Sequence, residues 1–194
     1  MDFLLDLDQS LFIFLNSLGS VTFDSFWLFI SESSAIEAIY LFLVIEFLRF
    51  FKIKDIKSIL IFLLSMILMI VFTDQSSNFF KEFFERLRPC HNPELIEIIR
   101  IVKNGCGGLY GFFSAHAANT FAFATFIYFL TPNDRKYKRT SFFLFIWAAI
   151  ISYSRIYIGV HFPIDILVGA VYGFLSGYFF HKPFLYFKKS KLLL

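Results

Sequence analysis

Seven polar side chains in this sequence have the types and spacing to hold and attack an anion: Lys81, Arg88, Ser114, His116, Arg155, His161 and Asp165. Lys81 leads to Arg88 and Pro89 in the pattern Lys-x6-Arg-Pro. Ser114-Ala115-His116 stand together, and Ser154-Arg155 leads to His161 and Asp165 in the pattern Ser-Arg-x5-His-x3-Asp. Three cations around one point demand a multiply charged anion, for arginine offers a planar fork matched to phosphate oxygens and lysine a point charge. On a helix, Lys81 and Arg88 lie two turns apart on nearly one face, so both can point at the same oxygens. Asp165 can accept the ring N–H of His161, which sets the tautomer and leaves the other nitrogen free to attack. His116, on a different helix, can protonate a departing oxygen.

Composition says what kind of scaffold must gather these residues. Of 194 residues, 58% are hydrophobic, 31 are Phe, and the mean hydropathy is +0.68. Soluble domains are about 45–50% apolar, so the excess must face lipid or line a groove for something greasy. A spanning helix needs about 20 mostly apolar residues. The sequence predicts five spans, over 35–48, 56–72, 112–130, 142–157 and 164–180, the second running on as a helix to about Phe84. Residues 8–30 are broken by Asn16, Gly19, Ser20 and Asp24 and are read as two short interfacial helices, a spanning helix being the alternative. Pro163 suits the first turn of the last span. The expected class is all-α: one polytopic membrane domain over 1–194, with interfacial helices in 1–34 and a transmembrane core in 35–184 that carries motifs at 81–89, 113–116 and 154–165. No linker or internal repeat divides it, and the N-terminus lacks the basic region of a cleavable signal.

Charge sets the expected orientation. Arg49, Lys52, Lys54 and Lys57, then Arg135, Lys136, Lys138 and Arg139, then Lys182, Lys188, Lys189 and Lys191 fall on one side, expected to be cytoplasmic. Lys81, Arg86, Arg88, Arg100, Lys103 and Arg155 fall on the other and oppose that trend, so each needs a reason to be there. The net charge of +3 sits in short clusters between spans, which reads as topology and not as nucleic-acid binding.

The three blocks together resemble the type 2 phosphatidic acid phosphatase superfamily, whose pattern is Lys-x6-Arg-Pro, Pro-Ser-Gly-His, and Ser-Arg-x5-His-x3-Asp. The first and third match fully; the middle one reads Phe113-Ser114-Ala115-His116, keeping Ser and His. The resemblance implies a lipid phosphatase that needs no metal or other cofactor. It implies attack by His161 through a phosphohistidine, His116 as proton donor, and Lys81, Arg88, Ser114 and Arg155 around the phosphoryl oxygens. The expected location is a bacterial inner membrane with the site facing the periplasm. The expected partners are membrane lipids and a lipid phosphate or pyrophosphate, undecaprenyl pyrophosphate first. Phosphatidylglycerol phosphate, phosphatidic acid and lipid A phosphate stay open, as does transfer of the phosphoryl group to another lipid. A phospholipid-binding transporter would need the cations but not the His161–Asp165 pair.

Outside the blocks, Arg86 is read as solvated or facing headgroups, and Glu82 and Glu85 as surface carboxylates paired with Arg86 or Arg88. Cys90 and Cys106 are expected to form a disulfide, with two free thiols as the alternative.

Overall fold

A computed structural model describes residues 2–50, 53, 55–103, 105–133 and 135–191. Lys52 and Lys54 lie outside these, as do the side chains of Lys136, Lys188, Lys189 and Lys191. The described chain consists of helices α1 (Asp2–Ser17), α2 (Val21–Ser31), α3 (Ser33–Phe50), α4 (Ile56–Phe84), α5 (Ala115–Leu130), α6 (Arg135–Tyr157) and α7 (Pro163–Lys191), with a 3₁₀ turn at Pro89–His91. It is an all-α membrane bundle. Helices α4, α6 and α7 are each long and apolar enough to cross a bilayer, and α1 and α2 pass the same test only as a pair bent by 115°.

Helices α1 to α6 run over stretches without glycine or proline, α7 alone of the described helices carrying both inside it, and helix ends fall at identifiable signals. Asp55 caps α4, its carboxylate accepting the Ser58 N–H at 3.0 Å. The buried residues of α4 are Ser58, Phe62, Ser65, Met69, Thr73 and Ser77, spaced three or four apart and hence on one face. Its opposite side bares Leu60, Leu64, Ile67, Leu68 and Phe72, which only a lipid neighbour makes favourable. The inner stripe joins Phe123, Phe126 and Phe184 in the main core. Helix α5 begins at Ala115, later than its apolar run, because Ser114 serves as N-cap. Helix α7 passes 180 to Lys191 with Pro183 inside it, and α6 starts at Arg135, in the basic turn.

The closest packing is between α5 and α7. Gly169, Gly173 and Gly177 are spaced four apart on α7, and a Cβ built on each would lie 2.7, 2.1 and 2.3 Å from the carbonyl oxygens of Ser114, Ala118 and Ala122. Backbone meets backbone along this seam, the small-xxx-small arrangement that replaces hydrophobic driving force inside a membrane. The alanines of α5 supply the matching surface. The seam puts the starts of α5 and α7 side by side, and the ends of α4 and α6 arrive at the same level.

Residues 1–34 are tied into the bundle more firmly than two helices resting at an interface. Asn16, expected as a helix break, is buried, and its amide donates to the carbonyls of Arg100, Ile156 and Tyr157 at 3.0, 3.1 and 3.0 Å while its oxygen accepts the Arg100 N–H at 2.7 Å. Those carbonyls belong to the C-terminal turn of α6, where helical carbonyls run short of partners, and to the loop between α4 and α5. Phe3, Leu4, Phe14, Phe23 and Phe26 stay exposed on the outer side.

The seam generates a prediction. Gly173→Leu must push α7 off Ala118 and should cost at least the about 1–3 kcal/mol typical of overpacking, read as a fall in thermal stability of the detergent-solubilised protein. Gly108→Ala, with nothing within 4 Å of its Cβ, should change stability by less than about 0.5 kcal/mol. Equal effects from the two would show that the seam is not tight.

Candidate active site

Four helix ends meet in one place: the last turns of α4 and α6 bring Lys81 and Arg155, and the first turns of α5 and α7 bring His116 and Asp165. Arg88 and His161 come from the adjoining loops. All seven residues singled out in the sequence gather here. Lys81 lies within reach of the charges of Arg88, Arg155 and Asp165, and His116 within reach of those of Arg155, His161 and Lys81.

Asp165 is the best-anchored member. It has no solvent exposure, so each of its oxygens needs a partner inside the protein. Oδ1 accepts from Arg86 Nη1 at 2.7 Å, Oδ2 accepts from the Phe162 N–H at 3.0 Å, and the main-chain carbonyl accepts from the Ser114 N–H at 3.0 Å. The Phe162 contact is half of a capping box, the third helical residue reaching back to the N-cap amide. The next free amide, Ile164 N–H, is taken by Asp8 Oδ1 of α1 at 2.8 Å, a cap supplied from the far end of the sequence. Arg86 bridges the two carboxylates, its Nη2 pairing with Asp8 and its guanidinium lying 4.2 Å from the Phe162 ring centroid. The arginine expected at the surface is therefore an internal counter-ion. Glu82 and Glu85 do not pair with it or with Arg88, because buried Asp8 and Asp165 hold the Arg86 fork. Glu85 instead closes α4 in the left-handed conformation at φ 47°.

His161 is buried, with Nδ1 3.4 Å from Asp165 Oδ2. That is longer than a good hydrogen bond; the carboxylate faces the ring while bonding the Phe162 amide. Burial pushes the His161 pKa down to about 4, against the opposite pull of Asp165. The imidazole is thus neutral at ordinary pH and can act as a nucleophile. Gly111 makes room for this pair: a Cβ there would lie 3.1 Å from Asp165 Oδ2, 3.2 Å from Arg88 Cγ and 3.6 Å from His161 Nδ1.

Arg88 and Arg155 are held by carbonyl and hydroxyl oxygens and Lys81 by the Asn78 amide oxygen at 3.4 Å, none of which neutralises their charge. Arg88 donates from Nε to the Tyr110 carbonyl and from Nη1 to the Cys106 carbonyl, both at 3.1 Å. Its segment is pinned by the Leu87–Tyr110 bridge and by the Cys90–Cys106 disulfide, whose Cα atoms are 6.1 Å apart. Arg155 donates from Nη1 to the Ser31 carbonyl at 3.1 Å and to the Ser31 hydroxyl, and its buried Nε has no protein partner. Ser114 is fully buried, its Oγ 3.5 Å from the Ala117 N–H. The first turns of α5 and α7 add partial positive charge. Beside His116 a pocket of about 140 Å³ opens between α3, α4 and α5, walled by Ile36, Tyr40, Ile70 and Phe123. Such a cluster can bind a tetrahedral oxyanion, place a neutral imidazole against it and offer a second imidazole for proton transfer.

Residues 58–189 match the PAP2 superfamily. A protein of Porphyromonas gingivalis named Lipid A 4'-phosphatase is 36% identical over 190 residues, covering 96% of this chain and 76% of that protein. One of the same name from Bacteroides thetaiotaomicron is 33% identical over 184 residues, covering 93% and 78%. Among solved structures, LpxE of Aquifex aeolicus is similar with a TM-score of 0.63 at 26% identity, covering 91% of this chain and 95% of that one. A PAP2 type phosphatidylglycerolphosphate phosphatase from Bacillus subtilis has a TM-score of 0.68 at 20% identity, covering 93% and 85%, a likeness of fold alone.

Sequence reasoning missed Arg86, Asp8, Ser31 and Gly111. The available signals were a carboxylate inside an apolar N-terminal run and an unexplained arginine between two motif residues. The Arg86 bridge is testable. Arg86→Gln leaves two buried carboxylates without a counter-ion and should cost about 3 kcal/mol or more. Adding Asp8→Asn to it should recover part of the lost thermal stability. No recovery in the double variant would mean that the two carboxylates do not share Arg86 as their counter-ion.

Proposed function

The chain belongs to the PAP2 superfamily and is a phosphoric monoester hydrolase acting on membrane lipid, and on that premise we propose that its substrate is lipid A phosphate and that His161 is its nucleophile. The observation that carries the substrate is the likeness, over nearly the whole chain, to two proteins named for this activity. It moves lipid A ahead of undecaprenyl pyrophosphate, for which no residue of the site speaks.

The geometry supports the following chemistry. Phosphoryl oxygens sit among Lys81, Arg88 and Arg155, the unpartnered Arg155 Nε among their donors, with Ser114 at the start of α5 alongside. The nitrogen of His161 remote from Asp165 attacks phosphorus, and the bond to the sugar oxygen breaks as His116 gives that oxygen a proton. The product is a phosphohistidine and a free hydroxyl. His116, now neutral, takes a proton from water as water attacks phosphorus, releasing inorganic phosphate and restoring His161. The three cations stabilise the charge on the equatorial oxygens throughout, the electrostatic part of phosphoryl transfer. Asp165 orients the imidazole and favours the positive charge it acquires on attack.

We place the protein in a bacterial inner membrane with this site on the periplasmic side, from the basic turns at the opposite ends of the helices. With Cys90 and Cys106 replaced, a cysteine at Glu97 should react with an impermeant thiol reagent in intact cells and one at Arg139 should not. Reversed labelling would put the site in the cytoplasm.

The assay for function is phosphate release by purified protein across lipid A, undecaprenyl pyrophosphate, phosphatidic acid and phosphatidylglycerol phosphate. Lipid A should be preferred, and free phosphate should appear in step with substrate loss; transfer to an acceptor lipid would make the protein a phosphotransferase instead. His161→Ala should abolish turnover of every substrate. His116→Ala should slow lipid A hydrolysis by about 10²–10⁴-fold, the usual worth of a general acid. It should slow a nitrophenyl phosphate much less, because that leaving group needs no proton. Equal losses on both esters would remove His116 from the acid role.

A further inference from the structure

Six basic residues lie at the site's end of the bundle, and five have an assignment. Lys81, Arg88 and Arg155 surround the phosphate position, Arg86 bridges Asp8 and Asp165, and Arg100 pairs with both oxygens of Asp24 at 3.0 Å. Lys103 is exposed and has no ion-pair partner among the described residues. It lines a cleft of about 710 Å³ between α2 and the loop before Gly105, together with Ser25, Leu28, Phe29, Ser31 and Glu32. The cleft and the phosphate position share a wall, for Ser31 lines the one and holds Arg155 for the other through its carbonyl and hydroxyl. The charges of Arg155 and Arg88 bear on Lys103 as well, which with partial desolvation lowers its pKa, Glu32 acting the other way.

A cleft that opens beside the reacting phosphate is where the rest of a headgroup must go. Its walls mix hydroxyls, one carboxylate, one ammonium and apolar surface, which suits a sugar: hydroxyls and a carboxylate bond ring hydroxyls, and aliphatic and aromatic carbon covers ring faces. An ammonium that forms no salt bridge among the described residues, with Arg88 and Arg155 nearby and Glu32 as the one carboxylate of the cleft, favours a further anion. We propose that this cleft is a second subsite, which takes the part of a phosphorylated sugar headgroup remote from the scissile bond, and that Lys103 binds a second phosphate carried there. The proposal rests on the lipid A reading for the identity of the headgroup, while the position of the subsite rests on the cleft. Lys103 is thereby a specificity residue that touches the non-reacting end of the substrate.

The test compares wild type, Lys103→Gln and Lys103→Arg on two lipid A preparations, one carrying both phosphates and one carrying only the phosphate to be removed. Lys103→Gln should raise KM for the bisphosphorylated lipid by about five- to ten-fold, the size of one partly exposed charge-assisted contact. KM for the monophosphorylated lipid should rise much less, and Lys103→Arg should restore most of the affinity. The same loss on both lipids, or no loss on either, overturns the subsite. If wild type hydrolyses neither lipid A, the functional reading fails by itself. The subsite is then decided by competition, with each lipid A used to inhibit turnover of whichever lipid phosphate is hydrolysed. A wild-type preference for the bisphosphorylated inhibitor that Lys103→Gln abolishes supports the proposal, and equal inhibition by the two overturns it.

Discussion

A carboxylate cut off from solvent sets the terms for this structure. An ionised Asp165 in the interior is costly unless its oxygens are bonded and its charge is balanced. The protein meets that demand from three directions, with Arg86 just past the end of α4, the Phe162 amide from its own helix start and the His161 ring opposite, while the main-chain carbonyl of the same residue accepts the Ser114 N–H of α5. Each partner is also a structural join. Side chain and main chain together, Asp165 therefore ties α4, α5 and α7 to one another at the level of the candidate site. Asp8 extends the arrangement to α1, because the Arg86 fork has N–H donors for two carboxylates and Ile164 has an amide left to cap.

The second requirement is closeness, and glycine supplies it. Within a bilayer, helices gain little from hiding hydrocarbon from hydrocarbon, so they associate by close packing and by hydrogen bonds. Gly169, Gly173 and Gly177 let α7 rest on the backbone of α5. Bonds across the neighbouring α4 pairings do similar work nearer the site: Ser77 to the Phe113 carbonyl at 2.8 Å, Tyr172 to Ser76 at 2.6 Å, and Thr73 to Asn119.

The cations show the opposite economy. Arg88 and Arg155 are held by carbonyl and hydroxyl oxygens, which fix their position without cancelling their charge, whereas Arg86 and Arg100 are held by carboxylates, which do cancel it. The choice of partner thus separates cations neutralised within the protein from cations whose charge stays available at the candidate site. Residue type alone cannot make that distinction, since all four are arginines on the same side of the bundle.

That contrast marks the line between what sequence alone determined and what the tertiary structure decided. The all-α class and the central spans were legible because apolar runs and helical periodicity are local properties. The candidate residues from Lys81 to Asp165 were legible because their spacing carries chemistry before any fold is known. The N-terminal position of Pro163 was accessible on the same grounds, whereas the capping role of Ser114 emerged only with the fold, the sequence having started that span at 112. Arg86 was misread, because its partners stand 78 and 79 residues away and nothing nearby in sequence announces them. Asn16 looked like a break and proved to be a bracket for α6, whose carbonyls it bonds 140 and 141 residues on. The glycine seam was visible as letters but not as a seam, because four-residue spacing becomes a packing surface only when a second helix lies against it. Covalent neighbours decide helix type, ends and spacing. Which buried charge receives which counter-ion depends on the cost of leaving it bare, and that cost exists only once the chain has closed around it.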